Sequence, residues 1–312
     1  MGRGIGIVLG ALVLAGCASV PAGSPPPDIV MQGERLFPES ITSDAGGTIY
    51  IGSNPGMIFR AAPGSTTASP WIVPDEANGL ATVFGVLADD ARGLLWVCSN
   101  PRQGEAGAPE IKTFRLSDGA LVATYPFNTG EGPAMCNDMT VAANGDVFAT
   151  ETLGGRILKL PDGGSAFTVW ATDPEFASAD GIAFASDGTL YMNAIQRNNL
   201  VRVNKDAAGN FTDATVLTPS QPMGGPDGLR LLSGNRFLQS EGNSGTITLV
   251  TIEGDRAAIE TIASGIDYAS SVTAVNGRAF YPEGKLRFLF GPAAGEDPGP
   301  FIVRNVAIPG GQ

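Results

Sequence analysis

Apolar and polar positions alternate along most of this chain with a period of two, in short runs bounded by Gly, Asn, Asp or Pro. No stretch keeps the three-to-four spacing of an amphipathic helix, so the pattern predicts strands throughout. The clearest case runs from Cys136 to Glu151. Met139 and Val141 alternate with polar neighbours, Asn144-Gly145 supplies a hairpin turn, and Val147 and Ala149 resume the alternation. The same figure recurs. Asp180-Gly181-Ile182 leads through Asp187-Gly188 to Thr189-Leu190-Tyr191, Asp227-Gly228-Leu229 leads through Gly234-Asn235 to Phe237-Leu238, and Glu39-Ser40-Ile41 leads through Gly46-Gly47 to Ile49-Tyr50-Ile51. Each copy opens on an oxygen-bearing side chain.

The copies return at intervals of roughly forty to fifty residues, which is the signature of a repeat architecture. Each contains four strand candidates. Their first strands are predicted at Ile41–Ser43, Phe84–Ala88, Asp138–Ala142, Gly181–Phe184 and Gly228–Leu232, with a weaker sixth at Ser271–Val275. The expectation is an all-β, six-bladed β-propeller of four antiparallel strands per blade, spanning residues 31–312 without division. A β-sandwich of equal length would leave the repeat unexplained. Val30 to Leu36 is free to add to the last blade and close the ring.

Propeller geometry gives the repeated residues a meaning. The innermost strand of each blade lines a central channel, and its first residue sits at one mouth. Glu39, Asn137, Asp180 and Asp227 hold that position in four blades, with Phe84 and Ser270 in the other two. Three carboxylates about 5 Å apart repel by about 3 kcal/mol per pair at an effective dielectric near 20. Either some are protonated or a divalent cation lies between them. Oxygen-only donors favour Ca²⁺ over Zn²⁺, with Mg²⁺ and Mn²⁺ as alternatives. Any one of the four alone reads as a turn-former; the shared position argues for a site. Asp118-Gly119, Asn144-Gly145 and Asp187-Gly188 belong to the opposite face and read as hairpin turns.

Composition narrows the chemistry. The formal net charge of -12 argues against nucleic acid, which is held by Lys and Arg on phosphates. There is no histidine, which removes a Ser-His-Asp triad, a His-bound zinc and any His base together. Besides Cys17 only Cys98 and Cys136 remain; a disulfide and two separate buried thiols are both open. Residues 1–16 read as a signal peptide, with Arg3 before an apolar core too short to span a membrane. Leu14-Ala15-Gly16-Cys17 resembles the bacterial lipoprotein signal, implying acylation of Cys17 and an envelope location. Ala18 after the cysteine points to the periplasmic face of the outer membrane rather than the inner one. Residues 17–30, with Pro25-Pro26-Pro27, read as an extended tether.

The strings Pro38-Glu39-Ser40, Cys136-Asn137-Asp138, Ala179-Asp180-Gly181 and Gly225-Pro226-Asp227-Gly228 resemble the metal-site strings of the SMP-30/gluconolactonase/luciferin-regenerating enzyme family, over about residues 35 to 290. The resemblance implies one divalent cation at the channel mouth and, for most members, lactonase activity. It implies Glu39, Asp180 and Asp227 as metal ligands, Asn137 as ligand or substrate contact, and Asp227 as the base. Two departures stand out: Asp180 where the family usually has Asn, and Ser40 where it usually has Gly. The two neighbouring acids, Asp180 and Asp227, are expected to share the catalytic proton chemistry.

The loops rising on the same face carry Asn54, Asn100, Arg102, Glu151, Asn193, Arg197, Glu241 and Asn243, most of them expected to be solvated. Arg102 and Arg197 are the candidates for clamping a substrate. Two functions fit: a metal-dependent hydrolase of a small lactone, and a non-catalytic envelope propeller that binds a sugar or peptide. A base aimed at an open metal position separates them.

Overall fold

The computed structural model describes residues 1–2, 26–130 and 132–311; Cys17 and nearly all of the signal and tether segments lie outside the described residues. Among those residues no helix is long and apolar enough to cross a membrane, and helical structure is confined to single 3₁₀ turns.

Strand β1 (Ile29–Met31) is followed by a run of four, β2 (Pro38–Ser43), β3 (Ile49–Ser53), β4 (Ile58–Ala61) and β5 (Thr67–Ile72). The next runs are β6 (Thr82–Asp89), β7 (Leu94–Asn100), β8 (Glu110–Arg115) and β9 (Leu121–Asn128), then β10 (Cys136–Val141), β11 (Val147–Glu151), β12 (Arg156–Leu160) and β13 (Phe167–Thr172). They are followed by β14 (Ala179–Phe184), β15 (Leu190–Ala194), β16 (Asn199–Lys205) and β17 (Phe211–Val216). After the short β18 (Thr218–Pro219) come β19 (Pro226–Ser233), β20 (Arg236–Glu241), β21 (Thr246–Glu253) and β22 (Arg256–Ala263), and finally β23 (Thr273–Val275), β24 (Arg278–Pro282) and β25 (Ile302–Ala307).

Within each run the strands pair antiparallel in chain order. Parallel contacts between outermost strands, β13 with β9 and β1 with β5, join runs into two eight-stranded sheets, beside one of four strands and one of five. β1 also pairs antiparallel with β25, so the amino-terminal strand completes the last run and ties it to the first. This strand begins at Ile29, inside the stretch expected to be a tether. The reason is apolar: Ile29 and Met31 alternate inward and are buried, while Val30 faces out.

The first strands touch in succession, β2 with β6, β6 with β10, β10 with β14, β14 with β19, and β23 with β2. Gly228 of β19 lies against Ser271, just before β23, and completes the circuit. Burial follows this arrangement. The second strands β3, β11 and β15 are buried at every residue, whereas the fourth strand β22 alternates between exposed and buried. Second strands are therefore sandwiched between neighbouring sheets, and continuous small or apolar sequence suits them. The core lies between successive runs. Trp96, Cys98 and Ile111 of one pack with Met139, Leu158 and Phe167 of the next, for example.

Five of the observed first strands begin two or three residues earlier than predicted, and the sixth, at Thr273, two residues later; the early starts reflect a repeated irregularity. In β6, β10, β14 and β19 three steps along the strand match two on its partner, and in β2 two match one. Each is a β-bulge, and it breaks the period-two pattern from which the strand starts were read.

Cys98 and Cys136 are joined by a disulfide, with Cα atoms 5.5 Å apart, which stitches β7 to β10. This settles the pairing that the sequence left open. The loop-closure model gives about 4 kcal/mol for a 38-residue separation. Replacing both cysteines with serine should lower unfolding stability by about 2–4 kcal/mol in urea titrations; an unchanged midpoint and slope would show that the bridge contributes nothing.

Candidate active site

The bulges place the site. Glu39 falls in that of β2, Asn137 and Asp138 in that of β10, Asp180 and Gly181 in that of β14, and Asp227 and Gly228 in that of β19. A bulge turns two adjacent side chains away from strict alternation. Here the bulged residues line a shared cavity of about 10 Å³, the room of roughly one water-sized sphere. The walls include Glu39, Asn137, Asp138, Asp180, Asp227 and Ser270.

Each bulge is pinned by its neighbours. Asn100, at the end of β7, donates from Nδ2 to the Cys136 carbonyl (2.8 Å) and accepts from the Cys136 N–H (2.9 Å). Thr150 and Thr152 donate to the carbonyls of Asp180 and Ala179, both at 2.7 Å. Asn193 donates to the Asp227 carbonyl at 2.8 Å, and Ser270 to that of Pro38 at 3.0 Å. The small residue after the acid is also explained. A Cβ on Gly181 would stand 2.2 Å from the Asp227 carbonyl oxygen, so only glycine lets the two strands approach. At the matching place in β2, Ser40 is buried and its Oγ accepts the Val86 N–H at 3.1 Å, the hydroxyl linking β2 to β6.

The electrostatics are those of buried like charges. Burial, then the charges of Glu39 and Asp138, push the Asp180 carboxyl well above the usual range. Burial, then the charges of Asp180 and Glu39, do the same to Asp227. Glu39 is pushed up to about 7 by burial, although part of the residue reaches the surface. Carboxyls raised in this way hold their protons to higher pH, and Asn137 Nδ2 donates to Asp180 Oδ2 at 2.9 Å. Among the described residues no three His, Cys, Asp or Glu side chains stand together at metal-ligand spacing. Yet Glu39 Oε2 is buried without a hydrogen-bond partner. An all-oxygen donor set with an orphaned carboxylate oxygen fits a hard divalent cation, which would displace the protons that the raised carboxyls hold.

The nearest basic group is already engaged. Arg230, on β19, reaches across the channel to Asp138 with Nη1–Oδ2 2.6 Å and Nη2–Oδ1 3.0 Å. Asp138 Oδ2 also accepts the Ile182 N–H at 3.2 Å. This bidentate pair floors the site: Asp138 lines the small cavity, and Arg230 lines a separate space of about 500 Å³ toward the other mouth.

The remaining expected groups divide. Arg102 and Arg197 are exposed and line neither space; Arg197 pairs with Glu175 at 3.4 Å. Asn100, Glu151, Asn193 and Glu241 are buried rather than solvated. Glu151 accepts from the N–H groups of Met135, Leu153 and Gly154 and pairs with Arg156, so it holds its loop in shape. Sequence reading missed the Asp138–Arg230 pair. Asp138 sits in a quoted string, but nothing in the sequence pairs it with a residue 92 positions away.

No protein-family model matches the chain, and no curated protein does. Solved structures do. The chain is similar to a luciferin-regenerating enzyme at 13% identity, covering 90% of this chain and 94% of the other with a TM-score of 0.67. A gluconolactonase from Xanthomonas campestris matches at 18% identity over 94% and 99%, TM-score 0.62. A histidine-to-alanine form of virginiamycin B lyase from Staphylococcus aureus, described as catalytically inactive, matches at 14% over 90% and 98%, TM-score 0.60. At these identities the likeness establishes the all-β fold.

Two expectations follow. A carboxyl raised from 4.5 to about 7 keeps its proton in the folded protein after the unfolded chain has released it. Chelated protein should therefore lose stability as pH rises from about 4.5 to about 7, by about 1.4 kcal/mol per unit for one such group. Glu39→Gln should flatten that slope. A melting temperature constant across the window would contradict it. Separately, Arg230→Met leaves Asp138 buried and unpaired, and should cost about 3–5 kcal/mol. Adding Asp138→Asn should recover most of that loss; equal destabilisation in single and double variants would show that the pair is not the cause.

Proposed function

We propose that this chain is a cation-dependent hydrolase of lactones, built as a six-bladed ring in which each four-stranded run is one blade. The observation that carries the reading is the convergence of Glu39, Asp180 and Asp227 on one atom-sized cavity, with Glu39 Oε2 unpartnered. A divalent cation, Ca²⁺ best suited to the oxygen donors, would be held by Glu39, Asn137, Asp180 and Asp227 and would polarise a lactone carbonyl. Asp227, once ionised, takes a proton from water. The water oxygen adds to the carbonyl carbon, the ring C–O bond breaks, and the proton passes to the departing ring oxygen, giving a hydroxy acid. Asp180 and Asp227 line the same cavity and the Asp180 charge raises the Asp227 carboxyl, so the two titrate as a unit. The gluconolactonase among the solved relatives supports this reading. A lyase reading has less support, because the replaced histidine of the Staphylococcus aureus enzyme has no counterpart in a chain without histidine.

Export and acylation at Cys17 would place the enzyme on the envelope, at the periplasmic face of the outer membrane. The test is hydrolysis of a lactone panel, followed with a pH indicator, against Ca²⁺ concentration. Asp227→Asn should lower turnover at least 100-fold, within the range for losing a general base. Asp180→Asn should weaken cation binding while keeping or raising turnover per bound ion. Full activity of Asp227→Asn would remove the assigned base. Opening of no lactone at any cation concentration would put the binding-module reading ahead.

A further inference from the structure

Among the described residues that line the small cavity, Asn137 is the one side-chain amide, and an amide, unlike a carboxylate, has a right and a wrong way round. Its oxygen can serve a hard cation; its nitrogen cannot. The neighbours decide which end is which. Asn137 Nδ2 stands 3.0 Å from Thr152 Oγ1 and 2.9 Å from Asp180 Oδ2. The Thr152 hydroxyl donates to the Ala179 carbonyl at 2.7 Å, and a carbonyl can only accept. With its hydrogen committed there, Oγ1 can only accept from Asn137, so the end of the amide that faces it is the nitrogen. A carboxyl accepts or donates according to its proton, so of the two partners Thr152 is the one that fixes the orientation. Both Nδ2 hydrogens are then taken, and Oδ1 is what Asn137 has left to offer the cavity.

Thr152 is itself held in place. Its N–H donates to the Met135 carbonyl at 3.1 Å. The Glu151 carboxylate accepts the N–H groups of Met135, Leu153 and Gly154 at 3.0, 2.9 and 2.8 Å, which fixes the chain on both sides of the threonine. One hydroxyl thereby joins β10, which carries Asn137, to Ala179 at the head of β14, one residue before Asp180. Resting on the hydrolase reading, we propose that Thr152 is a positioning residue for Asn137, its hydroxyl setting which end of the amide meets the cation. It acts through the amide and does not line the cavity itself. Without the hydroxyl the amide is free to turn its nitrogen, the positive end of its dipole, toward the ion.

Two readouts test this. In chelated, isotope-labelled protein the Asn137 side chain should give an NH₂ resonance pair in slow exchange with water, assigned by its loss in Asn137→Asp. Thr152→Val should move that pair and speed its exchange, and Thr152→Ser should restore both. In a Ca²⁺ titration followed by calorimetry, Thr152→Val should bind about 10-fold more weakly, the lower end of the range for losing a group that orients a ligand. Thr152→Ser should bind as wild type does. Asn137→Asp is the control, because a carboxylate has two equivalent oxygens and no wrong way round. Adding Thr152→Val to it should therefore leave its Ca²⁺ affinity nearly unchanged. An equal loss in both backgrounds would show that the threonine merely braces Ala179. That result, wild-type affinity in Thr152→Val, or an NH₂ pair indifferent to Thr152→Val would overturn the inference. If wild type itself binds no cation, the hydrolase reading fails, while the NH₂ pair still decides what orients the amide.

Discussion

Everything in this molecule bears on the cost of holding three carboxyl groups together away from water. Glu39, Asp180 and Asp227 would repel strongly if all were ionised, and each is pushed toward its protonated form. Only a stiff frame keeps such groups from swinging apart to solvent. The frame is the circuit of first strands, with bulges that aim the acids inward and hydroxyl or amide side chains that clamp each bulge from the neighbouring run. The clamps are buried and short. They leave the carboxyls little option but to hold protons or to accept a positive charge.

The fourth acid shows the same constraint resolved differently. Asp138 follows Asn137 in the same bulge but meets Arg230 in a bidentate pair, and its charge is offset inside the fold. A second arginine at the cavity would have done the same for the other three and removed any need for a cation. The chain instead leaves Glu39 Oε2 unpartnered. Unsatisfied buried oxygen is costly, and its retention at the centre of the ring is the strongest mark of function on the molecule.

Much of this was legible in the sequence. Period-two alternation and recurring Asp-Gly and Asn-Gly pairs gave the strands and the repeat, and the four oxygen-bearing openings gave the cavity walls. What escaped had physical reasons. Bulges break alternation, so the pattern starts the five bulged first strands late and puts the acids just before a strand. Polar loop residues are usually solvated, but Asn100 and Asn193 satisfy backbone groups of the next run, and Glu151 and Glu241 hold N–H groups of their own run's loops, which no local pattern encodes. Arg230 reaches the site through a contact with a residue remote in sequence.

The most direct measurement is calorimetric titration of chelated protein with Ca²⁺ in buffers of different ionisation enthalpy, which reads both stoichiometry and protons released. The account predicts one cation per chain, with proton release that is larger near pH 6 than near pH 8, as protons held by Asp180, Asp227 and Glu39 are displaced. Binding without proton release at either pH, or no binding at all, would contradict it.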